Sequence, residues 1–212
     1  MKRRLLLLFI VFVWVGCEEQ LTITPENSTT FGNITSEKDI ESLLKGTGQK
    51  VRNMIDGTPS ILLSKGKYVD EINYWYIALR TLDPSDVPHG QWDKMYDLIA
   101  SANNVLDWVD QVDMPKERNK YYKGQCYFYI ALAYHELIHY FGDCVLKKSE
   151  MEIDPVSKSP WTQVADYAIE MAEQAVLFLP ELDKVQDING NSPRYKSAPC
   201  KGAANALLAQ LC

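Results

Sequence analysis

Histidine is scarce in this 212-residue chain, with three in all, and none of the five cysteines forms a C-x-x-C pair or any other metal-ligand cysteine spacing. A thiolate zinc site and a dithiol redox centre are therefore excluded. No glycine-rich phosphate loop occurs, because Gly46 and Gly48 lack both the following pattern and the Lys-Ser/Thr pair. Basic excess is also missing, the formal net charge being −6, which excludes nucleic acid as a partner. Period-two alternation is absent, which argues against a half-buried sheet. No apolar run approaches the ~20 residues that a membrane-spanning helix needs.

What is present begins at the N-terminus. Lys2, Arg3 and Arg4 precede a short uncharged stretch from Leu5 to Val15, and Gly16 stands before Cys17. This is the anatomy of a lipoprotein export signal, with residues 1–16 removed and the Cys17 thiol as the lipid attachment point. Their removal takes away three basic residues and no acid, which moves the net charge from −6 to −9. Residues 17–35 then read as a lipidated tether, poor in large apolar side chains and containing Pro25 and Gly32. Residues 36–212 form the folded body. Its cysteines, Cys126, Cys144, Cys200 and Cys212, are expected as buried free thiols, with an inter-helix bridge such as Cys126 to Cys200 as the alternative.

Within the body, apolar residues recur three and four apart, so the expected fold is all-α. Ser36 followed by Asp39 predicts a cap on a first helix carrying Ile40, Leu44, Val51, Met54 and Ile55. Further helices are expected from about Gln91 to Val109, from Pro115 to Phe141 with Gly142 as the stop, from Ser159–Pro160 to before Pro180, and from Pro199 to Cys212. Residues 56–90 and 142–158 are left as long connections. Small residues (Ala102; Ala131 and Ala133; Ala165, Ala168 and Ala172; Ala203, Ala204, Ala206 and Ala209) mark where helices can approach closely. The helices should pair as antiparallel hairpins in tetratricopeptide-like stacking, although no strict 34-residue repeat is visible.

Four segments follow in order: Trp92-x-x-Met95-Tyr96-x-x-Ile99-x-x-Ala102-Asn103-x-x-Leu106; Tyr122-x-Gly124-Gln125 through Ala131-Leu132-Ala133-Tyr134 to Tyr140-Phe141-Gly142; Trp161 through Leu179-Pro180; and Arg194-Tyr195-Lys196 through Ala203-Ala204-x-Ala206-Leu207-Leu208-Ala209. In this order, over nearly the whole mature chain, they resemble the SusD/RagB family of outer-membrane nutrient-binding lipoproteins. Glu18-Glu19 after Cys17 is similar to the acidic surface-export signals of such lipoproteins. The resemblance implies a surface-exposed receptor, lipid-anchored in the outer membrane, that captures oligosaccharide, or in some members peptide, for a SusC-like TonB-dependent transporter. It implies no cofactor and no chemistry. It further implies that the 212 residues are the front, helical part of a longer receptor whose second half completes the ligand site.

Two stretches carry candidate chemistry. Asn73, Tyr74, Trp75 and Tyr76, following Asp70-Glu71 in the 56–90 connection, offer flat aromatic faces beside hydrogen-bonding groups, as sugar binding requires; equally, these aromatics can serve to pack the loop. His135-Glu136-Leu137-Ile138-His139 is an H-E-x-x-H sequence on a helix, the pattern that sets two imidazoles one turn apart as zinc ligands beside a general-base glutamate. Val145 stands where the metzincin pattern needs its third ligand, and His89 lies upstream, which leaves Glu170 or Glu173 as the alternative third donor. The expectation is that the segment is incidental, with His135 and His139 as partly exposed positions flanking a packed helix. A zinc metalloprotease and a purely structural tetratricopeptide-like adaptor are the alternatives to the receptor.

Overall fold

The computed structural model describes residues 34–65, 89–149, 157–187, 189–192 and 198–212. Among these lie five α-helices: α1 (Glu37–Lys65), α2 (His89–Val109), α3 (Lys116–Phe141), α4 (Trp161–Phe178) and α5 (Lys201–Leu211). Two-residue strands β1 (Cys144–Val145) and β2 (Lys158–Ser159) and a 3-10 turn (Leu182–Lys184) complete the described elements. Each helix packs on the next in sequence, and α3 also touches α1 and α5. The result is the expected tetratricopeptide-like set of helical hairpins, with α1, α3 and α5 in one row.

Local chemistry explains the boundaries. Asp39 Oδ2 accepts hydrogen bonds from the Ser36 hydroxyl at 2.7 Å and the Ser36 N–H at 2.9 Å, so the carboxylate reaches back one turn to satisfy the start of α1. These donors hold the Asp39 carboxyl below the usual carboxylate range, the Ser36 hydroxyl contributing most. At the far end the structure corrects the sequence reading, because α1 runs to Lys65 rather than stopping near Ile55. Gly57 and Pro59 weaken propensity there, Pro59 because it has no N–H to donate, but extending a helix already nucleated adds a hydrogen bond for each non-proline residue fixed. Between α2 and α3, Asn119 Nδ2 donates to the Val109 carbonyl at 3.1 Å and to Asp110 Oδ1 at 3.1 Å, which closes the turn. Gly142, with φ of +70°, ends α3 in the left-handed region, its N–H returning to the Ile138 carbonyl at 3.0 Å.

The core runs along α2, α3 and α4. Leu98, Ile99, Ala102 and Val105 of α2 meet Cys126, Ile130, Ala133 and Leu137 of α3, and Val164, Ala168, Ala172 and Ala175 of α4 complete it; all are fully buried. Alanine at these positions permits close helix approach, as expected for Ala102, Ala131, Ala133, Ala168, Ala172 and Ala204. Ala206 and Ala209 depart from that expectation, since both are exposed. The closest passage is at Gly124, where a Cβ would come within 3.0 Å of Phe178 Cβ and 3.1 Å of the Leu179 nitrogen. Glycine is therefore what lets α3 pass the C-terminus of α4.

The connection after α3 is not wholly irregular. β1 and β2 pair antiparallel, Cys144 with Ser159 and Val145 with Lys158, a small exception to the all-α pattern. Two residues are too few to register as a period. All four body cysteines are free thiols: Cys126 and Cys144 are buried as expected, whereas Cys200 is half-buried and Cys212 exposed. Burial pushes the Cys144 thiol up to about 11 and raises that of Cys126 further, so neither is a nucleophile at neutral pH.

Candidate functional site

Three places invite a functional reading, and the H-E-x-x-H segment of α3 is the first. One-turn spacing sets the His135 and His139 rings 4.3 Å apart, centroid to centroid. His139 Nδ1 donates to the His135 carbonyl at 2.8 Å, and His135 Nδ1 lies 3.2 Å from Glu136 Oε1. His135 and Glu136 are half-buried and His139 is exposed, in line with positions flanking a packed helix. Among the described residues, no group of three or more His, Cys, Asp or Glu is placed to hold a metal, so Glu170 and Glu173 of α4 do not join the pair as a third donor.

The second place lies where α2, the end of α3 and the β1–β2 pair meet. Tyr96 of α2 both donates its hydroxyl to the Val145 carbonyl and accepts the Val145 N–H, each at 2.8 Å. Tyr134 of α3 treats Lys147 in the same way, donating to its carbonyl at 3.2 Å and accepting its N–H at 2.8 Å. Asn103 Nδ2 adds a bond to the Lys147 carbonyl at 3.2 Å. Two phenols thus hold alternate residues of an extended segment by both backbone groups, as a neighbouring strand would. Around this clamp, Trp92 packs edge-on against Phe141 at 5.0 Å, and the Lys158 ammonium sits 5.5 Å from the Trp92 centroid. Asp143 Oδ1 accepts the Trp161 N–H at 2.8 Å, capping α4 and fixing a tryptophan that is 53% exposed. Sequence reasoning placed Trp161 at a helix start but did not single it out for ligand contact.

The third place is a groove of about 320 Å³ between α1, α3 and the segment around Asp187. Its head is a polar knot. Arg118 Nε contacts Glu37 Oε1 at 2.7 Å, the Tyr122 hydroxyl donates to the same oxygen at 2.8 Å, and Arg118 Nη1 donates to the Gln186 carbonyl at 3.0 Å. Continued along both helices, the offset that pairs Glu37 with Arg118 sets Gly48 against Tyr129, and both line the groove. A Cβ on Gly48 would meet nothing within 4 Å, so the missing side chain leaves the groove open. Along the α3 wall stand Tyr121, Gln125 and Tyr129, four residues apart, with exposures of 8%, 7% and 4%. None of the three side chains has a hydrogen-bond partner among the described residues, and their polar atoms remain accessible. Burial pushes the Tyr121 phenol up to about 12 and that of Tyr129 higher. Sequence analysis did not single out Tyr121 or Tyr129 and met Gln125 only within the family-like segment, because only the register with α1 opens a groove before them.

Cys17 and the residues Asn73, Tyr74, Trp75 and Tyr76 lie outside the described residues. No described helix is long and apolar enough to cross a membrane.

Comparison with known proteins follows the fold. Residues 22–212 match the SusD-like family described as starch-binding and associating with the outer membrane. No curated protein matches the sequence significantly. Among solved structures, a laminarin-binding SusD-like protein superposes with a TM-score of 0.70 at 20% identity, over 84% of this chain and 40% of that one. A SusD superfamily protein from Bacteroides thetaiotaomicron gives 0.67 at 18% identity, over 84% and 44%. A SusD-like carbohydrate-binding protein from Bacteroides fragilis gives 0.53 at 19% identity, over 62% and 25%. The chain thus spans less than half the length of each of these three proteins.

Proposed function

The chain belongs to the SusD-like family, and on that premise we propose that it is a surface-exposed outer-membrane lipoprotein, anchored through Cys17, that captures oligosaccharide and hands it to a SusC-like TonB-dependent transporter. The family match along residues 22–212 carries this reading. The protein performs no bond chemistry in this role. Capture needs a flat aromatic face to cover the apolar side of a pyranose and polar groups to meet its hydroxyls. Trp161, half-exposed and held in place through its backbone by Asp143, presents such a surface, with Lys158 close in sequence. Asn73, Tyr74, Trp75 and Tyr76, in the connection between α1 and α2, supply a second aromatic stretch to the same ligand.

The test is calorimetric titration with laminarin and starch oligosaccharides. Trp161→Ala and Trp75→Ala should each weaken binding roughly tenfold, the loss expected for one well-packed stacking or hydrogen-bonding contact, while helical content stays unchanged. If wild type takes up neither glucan nor any other oligosaccharide, or if both variants bind as tightly as wild type, the capture surface is elsewhere or the reading fails. Cys17→Ala should release the protein from membranes, and unchanged fractionation would refute the anchor.

A further inference from the structure

The H-E-x-x-H segment of α3 lacks the third donor of a zinc enzyme, yet its two imidazoles are set up as ligands. His139 Nδ1 stands 2.8 Å from the His135 carbonyl oxygen, which can only accept, so the His139 proton is on Nδ1. His135 Nδ1 faces Glu136 Oε1 at 3.2 Å, and a carboxylate acceptor draws its proton to Nδ1 as well. In the neutral imidazole the lone pair of each ring is then on Nε2. Neither Nε2 has a hydrogen-bond partner among the described residues. An oxygen acceptor behind the distal nitrogen is what ligating histidines ordinarily carry, because it fixes the tautomer and raises the basicity of the nitrogen that binds. Side chains four apart lie one above the other on a helix, and here the ring centroids are 4.3 Å apart with the planes tilted by 42°. Two nitrogens on one ion stand no more than about 4 Å apart, twice a metal–nitrogen bond of ~2 Å, so a small adjustment of the exposed His139 brings both onto a single ion. His135, whose side chain is 13% exposed, supplies the fixed half of the pair.

We propose that His135 and His139 form an exchangeable surface site for a divalent copper ion, bound through both Nε2 atoms with water in the remaining positions. The donor set selects the metal. Two imidazoles and two waters make the tetragonal nitrogen and oxygen environment that Cu2+ favours, and Cu2+ also stands above Ni2+ and Zn2+ in affinity for such ligands. Zinc sites draw three or four ligands from the protein, and no third His, Cys, Asp or Glu joins this pair among the described residues. With two protein ligands only, the ion is lost when the protein is purified without it and returns on titration. The open positions leave it free to be passed to a stronger chelator. This site is separate from the glycan surface proposed above and does not depend on it.

The probe is Cu2+ itself, titrated into the full chain purified without a histidine tag. A thiolate competes for the same metals, so the background is Cys17→Ala/Cys212→Ser, Cys212 being the exposed thiol of the body. One ion should bind, with Ni2+ and Zn2+ weaker than Cu2+. Electron paramagnetic resonance of the loaded background protein should show two imidazole nitrogens on the copper, a readout that needs no further variant to fold. His135→Gln and His139→Gln should each leave one imidazole on the metal and weaken binding roughly tenfold or more, since losing only the partner of a ligating imidazole already costs that much. His89→Gln, at the remaining histidine of the chain, should change neither affinity nor spectrum. If His135→Gln/His139→Gln takes up copper as tightly as the background does, the ion is adventitious and the proposal falls. It also falls if the resonance shows fewer than two imidazoles, if His89→Gln removes one of them, or if Zn2+ binds more tightly than Cu2+.

Discussion

The sharpest test of the structure compares one substitution at two tyrosines. Tyr96→Phe deletes a hydroxyl that makes two bonds of 2.8 Å to Val145, one as donor and one as acceptor, whereas Tyr121→Phe deletes a hydroxyl with no partner among the described residues. The ring stays in both cases, so the 4.9 Å packing of residue 96 on Trp92 survives. A net hydrogen bond contributes about 1 kcal/mol, and stranding a buried backbone group adds to that. Since Val145 is half-buried, water recovers part of the loss, and Tyr96→Phe should cost about 2–3 kcal/mol. For a chain of this length that is a fall of about 5–10 °C in Tm. Tyr121→Phe should stay within about 0.5 kcal/mol of wild type, because it removes an unsatisfied group. Urea unfolding supplies both numbers, and amide exchange at Val145 supplies a local readout, since its protection should disappear only in Tyr96→Phe. Equal costs for the two substitutions, or a cost below about 0.5 kcal/mol at Tyr96, would refute the assignment of bonded and unbonded hydroxyls.

Other expectations follow from single contacts. Gly124→Ala should destabilise by about 1–2 kcal/mol in denaturant unfolding despite alanine's better helix propensity, because its Cβ meets the Leu179 backbone at 3.1 Å. Glu37→Gln should cost about 1–2 kcal/mol, since the ion pair with Arg118 is one-fifth exposed on each side and the Tyr122 hydroxyl shares the same oxygen; Arg118→Lys should not substitute for the guanidinium that also reaches Gln186. At alkaline pH the sign is set by tyrosines whose phenols burial raises: the native state keeps the Tyr121 proton that the unfolded chain releases near pH 10. Stability should therefore be intact below pH 10 and fall between pH 10 and about 12, as unfolding followed by circular dichroism across that range would report. Protein purified without added zinc should carry well under one equivalent by metal analysis, and Glu136→Gln should leave ligand binding unchanged; a tightly held zinc would reinstate the metalloprotease reading of His135 and His139.

Helix identity was legible because its signals are local. Ser36 with Asp39, Pro115 and Pro160 at helix starts, and Gly142 at a stop act within one turn of the chain, and the structure places boundaries beside each. The extension of α1 past Ile55 was not legible, since propensity alone disfavours Gly57 and Pro59. The same limit applied to function. Tyr121, Gln125 and Tyr129 were not singled out in the sequence, because the groove before them exists only once α1, 81 residues upstream at Glu37 and Arg118, is laid alongside. The pinning of Val145 and Lys147 by Tyr96 and Tyr134 likewise joins residues whose spacing encodes nothing. The H-E-x-x-H motif shows the same limit: its spacing is right, but a catalytic metal site needs a third donor, which depends on neighbouring helices rather than on sequence, and none stands beside the pair among the described residues.

The excursion between α3 and α4 is closed at its base by groups that belong to neither of its middle residues: the Cys144–Ser159 and Val145–Lys158 pairs, and the Asp143 carboxylate on the Trp161 amide. Its two ends are thus clasped to each other. The clasp consequently works as a staple, tying the end of α3 to the start of α4 through contacts that are independent of the covalent path between them.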